Sequence, residues 1–178
     1  MSGHAKPMVD GKPVEIERKY LITPPDEKTM RTLSESEGYT SSYIEQIYIT
    51  GENGEGGRIR RRDYSDKTRY YYTLKQNING LSRFETEFEI TAQEYARLAK
   101  TQRPETQPIK KVRHCFVYSG QLFELDVYEM DKSCATLEIE LESEDQQVTL
   151  PDFIGVIKDV TGDVRYSNFT LSHSGCPK

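Results

Sequence analysis

The stretch VEIERKYLI (residues 14–22) sets Glu15, Glu17 and Lys19 at every second position. In a β-strand successive side chains point to opposite faces. Two carboxylates and an ammonium therefore share one face, with Ile16 and Arg18 on the other. Which of these faces is the inside decides the fold.

The same alternation recurs down the chain. Phe84, Thr86, Phe88 and Ile90 oppose Glu85, Glu87 and Glu89; Phe123, Leu125 and Val127 oppose Glu124 and Asp126; Leu137, Ile139 and Leu141 oppose Glu138 and Glu140. Arg58 and Arg60 flank Ile59, Lys111 and Arg113 flank Val112, and Lys75 follows Leu74. For one strand the ordinary account is a wet outer face over an apolar core. Repetition and sorting argue against it here. Like charges two apart on a strand stand roughly 7 Å from each other and repel, whereas a surface selected for stability mixes the signs. Something else must supply the countercharge. The arrangement favoured is inverted: charged rows line a wet tunnel, and apolar rows turn outward beneath short helices. A dry interior would not tolerate so many charges; a watery lumen holding divalent cations and a polyanion would. Carboxylate pairs are the hard oxygen ligands of Mg²⁺ or Mn²⁺, and Lys and Arg grip phosphate oxygens.

Composition bounds the rest. The chain has 178 residues and a formal net charge of -5, with 30% charged side chains and a mean hydropathy of -0.75. No apolar run approaches the roughly 18 residues of a membrane helix. Residues 1–13 lack the apolar core of a signal peptide and read as a flexible arm, which points to the cytoplasm and away from membrane partners. The negative net charge gives no general attraction for nucleic acid, so any anion site must come from local clustering. Cys115, Cys134 and Cys176 are odd in number and far apart, and are expected as free thiols. His4, His114 and His173 are too scattered for zinc-type spacing.

Period-two segments separated by Gly, Asn and Asp turns predict a mainly β domain over 14–172 with a short tail at 173–178. Strands are expected at 14–22, 42–50, 58–64, 69–77, 78–91 after an Asn-Gly signal, 107–118, 121–129 and 134–143. Helices are expected at 24–38, at 92–102 and at 152–160. Eight antiparallel strands fit a closed barrel, which removes sheet edges. Arg18, Arg61 and Arg69 are read as out of phase and solvated, and Tyr70–Tyr72 as strand packing.

EIERK (15–19) resembles the Glu-x-Glu-x-Lys signature that opens CYTH domains, a branch of the triphosphate tunnel metalloenzymes. RIRR, YTLK, RFETEFEI, IKKVRH, FELDVYE, LEIELES and VTGDVRYSN follow in an order that looks like that family, from about Glu15 to Leu171. The resemblance implies an eight-stranded tunnel holding a triphosphate and one or two ions of Mg²⁺ or Mn²⁺. It implies triphosphate binding by Lys19, Arg58, Arg60, Lys75, Lys111, Arg113 and Arg165, and metal binding by Glu15, Glu17, Glu85, Glu87, Asp126, Glu138 and Glu140. Lys19, Glu87 and Lys111 are the expected catalytic residues, with one of the lysines moving a proton if its pKa is depressed. The expected reaction is hydrolysis of inorganic tripolyphosphate to diphosphate and phosphate. An adenylate cyclase, a thiamine or nucleoside triphosphatase and a non-catalytic polyphosphate-binding module stay open as alternatives, as does a homodimer.

Overall fold

The computed structural model describes residues 8–9, 12–54, 56–77 and 82–177, with side chains over 15–54, 56–74 and 86–177. In chain order the elements are β1 (Met8–Val9), β2 (Lys12–Ile22), α1 (Glu27–Ser34), β3 (Thr40–Tyr48), β4 (Arg58–Asp63), β5 (Thr68–Asn77), β6 (Ser82–Ile90) and α2 (Ala92–Ala99). Then come β7 (Ile109–Tyr118), β8 (Gln121–Tyr128), β9 (Ala135–Leu141), β10 (Val156–Asp159), a 3₁₀ turn at Val164–Tyr166, and α3 (Asn168–Ser174).

All strand pairings are antiparallel, and neighbours run β2-β6-β5-β4-β3-β7-β8-β9, with β9 pairing back onto β2. Ile16 shows how the circuit joins: it pairs with Ser82 of β6 on one edge and Leu141 of β9 on the other. The β2–β6 seam is short, Val14–Ile16 against Phe84–Ser82. Beyond it, β10 takes over the same edge of β2 at Tyr20–Ile22.

The apolar rows face outward, as alternation and charge sorting suggested. Ile16, Tyr20, Ile22, Phe123, Leu125, Leu137, Ile139 and Leu141 pack with Leu33 of α1 and with Ile154, flanked by Val148, Leu150 and Phe153. Ile47, Ile49 and Ile59 pack with Tyr95 and Leu98 of α2, and Tyr70, Tyr72 and Ile90 join them. The helices sit where they do because each carries one apolar stripe and a cap. The Asp26 carboxylate accepts from Thr29 N at the start of α1; Thr91 and Glu94 form a reciprocal capping box at the start of α2. Cover is partial: Leu74 and Phe88 on the outer face of β5 and β6 remain exposed.

Several expectations are overturned. Residues 152–160 form not a helix but a turn and β10, because Val156–Asp159 finds the unpaired edge of β2. The third helix lies later, at Asn168–Ser174, opened by a Ser167 side chain that accepts from Thr170 N. The fold therefore runs past residue 172. Cys134 and Cys176, expected free, form a disulfide with Cα atoms 6.3 Å apart across 42 residues of sequence. Their proximity comes from the apolar cluster of Ile109, Tyr128, Cys134 and Leu171 under α3, which linear spacing does not reveal; Cys115 is the free thiol. Of the expected arm, Met8–Val9 pairs with Lys12–Pro13, and residues 1–7, 10 and 11 lie outside the described residues, as does the Asn79-Gly80 turn. No helix among the described residues is long and apolar enough to cross a membrane.

Candidate functional site: a charged barrel lumen

Pairing register places the charged rows opposite one another inside the circuit. Glu17 stands directly across from Glu140 and Lys19 from Glu138; Arg113 from Asp126; Arg58 from Thr73 and Arg60 from Tyr71. Despite their charge, Glu15, Lys19, Lys111, Arg113, Asp126 and Glu138 are all buried.

Lys19, Lys111, Arg113, Asp126 and Glu138 survive burial because they neutralise one another. Lys19 Nζ lies 2.7 Å from a Glu138 oxygen. Arg113 donates through Nε and Nη2 to both oxygens of Asp126, each at 2.7 Å, and through Nη2 to Glu138 at 3.0 Å. It also bonds Glu124, and Lys111 bonds Asp126. Burial alone would raise the pKa of Glu138, but Lys19 and Arg113 hold it well below the ordinary carboxylate range. Burial would likewise lower Lys19, yet the Glu138 carboxylate wins and raises it. Lys111 goes the other way. Burial pulls its pKa down to about 8, Asp126 opposes the fall, and the neighbouring Arg113 adds to it. Of the two expected proton-moving lysines, Lys111 is the one depressed, and chiefly by desolvation.

Across the lumen, β4, β5 and β6 form a second group. Arg60 Nη2 donates to Glu87 at 2.6 Å, and Thr73 Oγ1 donates to the same oxygen at 2.9 Å. Burial and the adjacent Arg58 cation both lower the pKa of Arg60, and its buried Nε meets no hydrogen-bond acceptor among the described residues. Tyr71 lies under this guanidinium, 5.7 Å from ring centroid to Cζ. Cationic crowding of this kind is relieved by an anion.

The sequence-predicted residues divide as follows. Lys19, Lys111, Arg113, Asp126 and Glu138 form one network; Arg60 and Glu87 form the other, with Arg58 beside Arg60. Asp126 was expected as a metal ligand, but both its oxygens accept from Lys111 and Arg113. Glu15, Glu17 and Glu140 follow one another on β2 and β9, and among the described residues no three Asp, Glu, His or Cys side chains already form a metal cage. Arg165 does not join: its side chain is 63% exposed and is gripped by Asp163. Lys75 pairs with Glu85 in backbone register, and the side chains of both lie outside the described residues. Arg69 proves in phase with Tyr71 and Thr73 and bonds Glu89 at the exposed rim, so its expected outer placement was a phase error.

Neutral polar residues were missed. Gln46, Thr73 and Thr136 are buried on the inner face, where Gln46 Nε2 donates to Tyr48 Oη at 2.9 Å. The register opposite Arg60 and Arg58 is the signal that finds Gln46 and Tyr48, and it exists only once strands are paired. At one end of the lumen, Tyr48, Gly57, Arg58, Thr73, Arg103 and Phe169 line a cavity of about 300 Å³. Gly57 is obligatory there: its φ is +112°, and a Cβ would sit 2.9 Å from Thr73 O.

Known proteins align with this arrangement. The family model of the CYTH domain matches residues 13–160. An inorganic triphosphatase of Acetivibrio thermocellus is 31% identical over 158 residues, covering 88% of this chain and 92% of that one. The crystal structure of the inorganic triphosphatase NE1496 superposes with a TM-score of 0.59 at 28% identity, over 96% of this chain and 99% of that one. HpAC1 from Hippeastrum, an adenylyl cyclase candidate with a dominant triphosphatase activity, shares the fold at 18% identity and a TM-score of 0.51, over 72% and 80% of the two chains.

Proposed function

We propose, from the premise that this chain belongs to the CYTH domain family, that it hydrolyses inorganic tripolyphosphate to diphosphate and phosphate inside the barrel. The observation that carries the reading is the convergence of Lys19, Arg58, Arg60, Lys111 and Arg113 on one lumen, with Arg60 Nε buried and without an acceptor among the described residues. The relatives at 31% and 28% identity are both named inorganic triphosphatases, and they favour hydrolysis over cyclisation.

The arginines and lysines grip the chain and stabilise the charge that develops as the phosphoanhydride breaks. Arg58 and Arg60 serve one wall, and Lys19, Lys111 and Arg113 the other, with Lys75 as an outlying contributor. Asp126 and Glu138 fix the directions of Lys111, Arg113 and Lys19. Lys111, with a pKa near 8, is the group able to hand over a proton near neutral pH; Lys19 stays charged.

The donor set fits a divalent cation. Mg²⁺ is ordinarily held by one or two carboxylates together with substrate phosphate oxygens and water. Glu17 opposes Glu140 directly in the β2–β9 register, which sets two carboxylates side by side on one face. Glu17 and Glu140, with Glu15 two residues along, would hold one ion of Mg²⁺ or Mn²⁺, and Glu87 with Glu85 would hold a second. Such an ion supplies charge neutralisation on the phosphate oxygens and acidifies the attacking water.

Phosphate release from tripolyphosphate, thiamine triphosphate and ATP, measured with Mg²⁺, with Mn²⁺ and with chelator, tests this. Turnover is expected fastest on tripolyphosphate and abolished by chelator. Cyclic AMP as the product from ATP, or binding with no turnover on any substrate, would replace the reading with a cyclase or a binding module.

A further inference from the structure

Two residues from outside the barrel strands reach the lumen's end, and nothing above gives them a role. Arg103 follows α2, and Phe169 lies on α3. We infer that they form, with Arg58, a subsite for the terminal phosphoryl group of an inorganic chain; this rests on the triphosphatase reading and deepens it.

Arg103 is built into place. Its backbone N–H donates to Tyr48 O at 2.9 Å, and its Nε donates to Ile49 O at 3.3 Å. These bonds tie it to the end of β3, and its guanidinium lies over the Phe169 ring at 5.7 Å. A Cβ on Gly56 would sit 3.3 Å from Arg103 Nη2, so the glycine pair leaves the room this head group occupies. No carboxylate pairs with Arg103 among the described residues. Among the described residues the cavity is thus lined by two guanidiniums, Arg58 and Arg103, and by no acid. Its complement is an anion.

The aromatic lining argues for a phosphoryl group over a nucleobase. Phe169 meets Tyr48 edge-on, with centroids 5.1 Å apart and planes at 89°, while Arg103 covers its ring. No parallel pair of aromatic faces stands open to sandwich a base. Phe169 is held by its helix: Asn168 Oδ1 accepts from Tyr128 Oη at 3.0 Å, and Cys176 beyond α3 is bonded to Cys134. ATP also has one free end, its γ-phosphoryl group, so the subsite discriminates by taking the opposite end, where tripolyphosphate offers a second free phosphoryl group that carries more charge than one esterified to a nucleoside and gains more from the second guanidinium. The subsite therefore selects inorganic chains over nucleoside triphosphates.

The test compares Arg103→Gln and Phe169→Leu with the unaltered protein, using tripolyphosphate and ATP as substrates. Arg103→Gln is expected to lower the ratio of kcat/KM for tripolyphosphate over ATP about tenfold, through KM rather than kcat. Phe169→Leu, which removes the ring but not the charge, shifts the ratio about threefold in the same direction and serves if the first variant fails to fold. Arg103→Lys recovers part of the loss. A ratio within twofold of the original in both variants, or a larger loss on ATP, overturns the subsite. Should the unaltered protein turn over neither substrate, the triphosphatase reading fails, and calorimetric binding of tripolyphosphate decides the subsite separately. A tenfold weaker Kd in Arg103→Gln sustains it, and equal affinity or no binding by the unaltered protein removes it.

Discussion

Asp126→Asn removes the carboxylate on which the buried charge network turns. Asp126 is fully buried and accepts from Lys111 and twice from Arg113. Deleting one partner of a buried ion pair costs about 3–5 kcal/mol. Arg113 keeps Glu124 and Glu138, so its loss is partial. Lys111 keeps the Tyr128 ring, 5.5 Å away, and the unbonded charge of Glu138. A lysine, unlike an arginine, escapes by releasing its proton. With its pKa already at about 8, loss of the carboxylate takes it lower still, and neutralisation at pH 7 then costs little. The expected destabilisation at pH 7 is therefore at the lower end, about 3 kcal/mol. The pH dependence follows from linkage. Between the folded pKa of Lys111, about 8, and its ordinary 10.5, the unfolded chain binds the extra proton, so this group makes stability rise with pH. In the variant that rise begins at lower pH, and the gap between the two proteins narrows from pH 6 to pH 9. Urea denaturation of both proteins at pH 6, 7 and 9 measures it. A loss under 1 kcal/mol, or a gap that widens toward pH 9, refutes the account of Lys111 and Asp126 as a buried pair.

Two further outcomes are expected. Arg58→Ala with Arg60→Ala removes two charged donors at about 1.5–3 kcal/mol each, which weakens tripolyphosphate binding at least about 100-fold; calorimetry showing unchanged affinity takes both residues out of the clamp. Cys176→Ser opens a loop of 42 residues, and the chain-entropy relation gives a loss of about 4 kcal/mol. The same decline is expected when the unaltered protein is reduced, and identical urea midpoints with and without reductant would contradict it.

Much of this protein was legible in its alternation. Glu15, Glu17, Lys19, Arg58, Arg60, Lys111 and Arg113 could be assigned to one face because side-chain direction in a strand has period two, and that period is a property of the backbone alone. Arg69 shows the limit of counting by eye, since its phase is read only against Tyr71 and Thr73. The segment 152–160 shows another: nothing within it records that the edge of β2 beside Tyr20–Ile22 is vacant for pairing.

By itself, then, the amino-acid order determined two sorted rows per strand and the sign of the charge along each. Tertiary structure alone decided which cation meets which anion, since Lys19–Glu138 and Arg113–Asp126 depend on inter-strand register. It alone brought Cys134 to Cys176, and Arg103 and Phe169 to Arg58, from parts of the chain tens of residues apart. Strand periodicity is local, whereas register, closure and the encounter of distant side chains are set by burying the outward apolar rows under helices whose own sequence carries no trace of the partner.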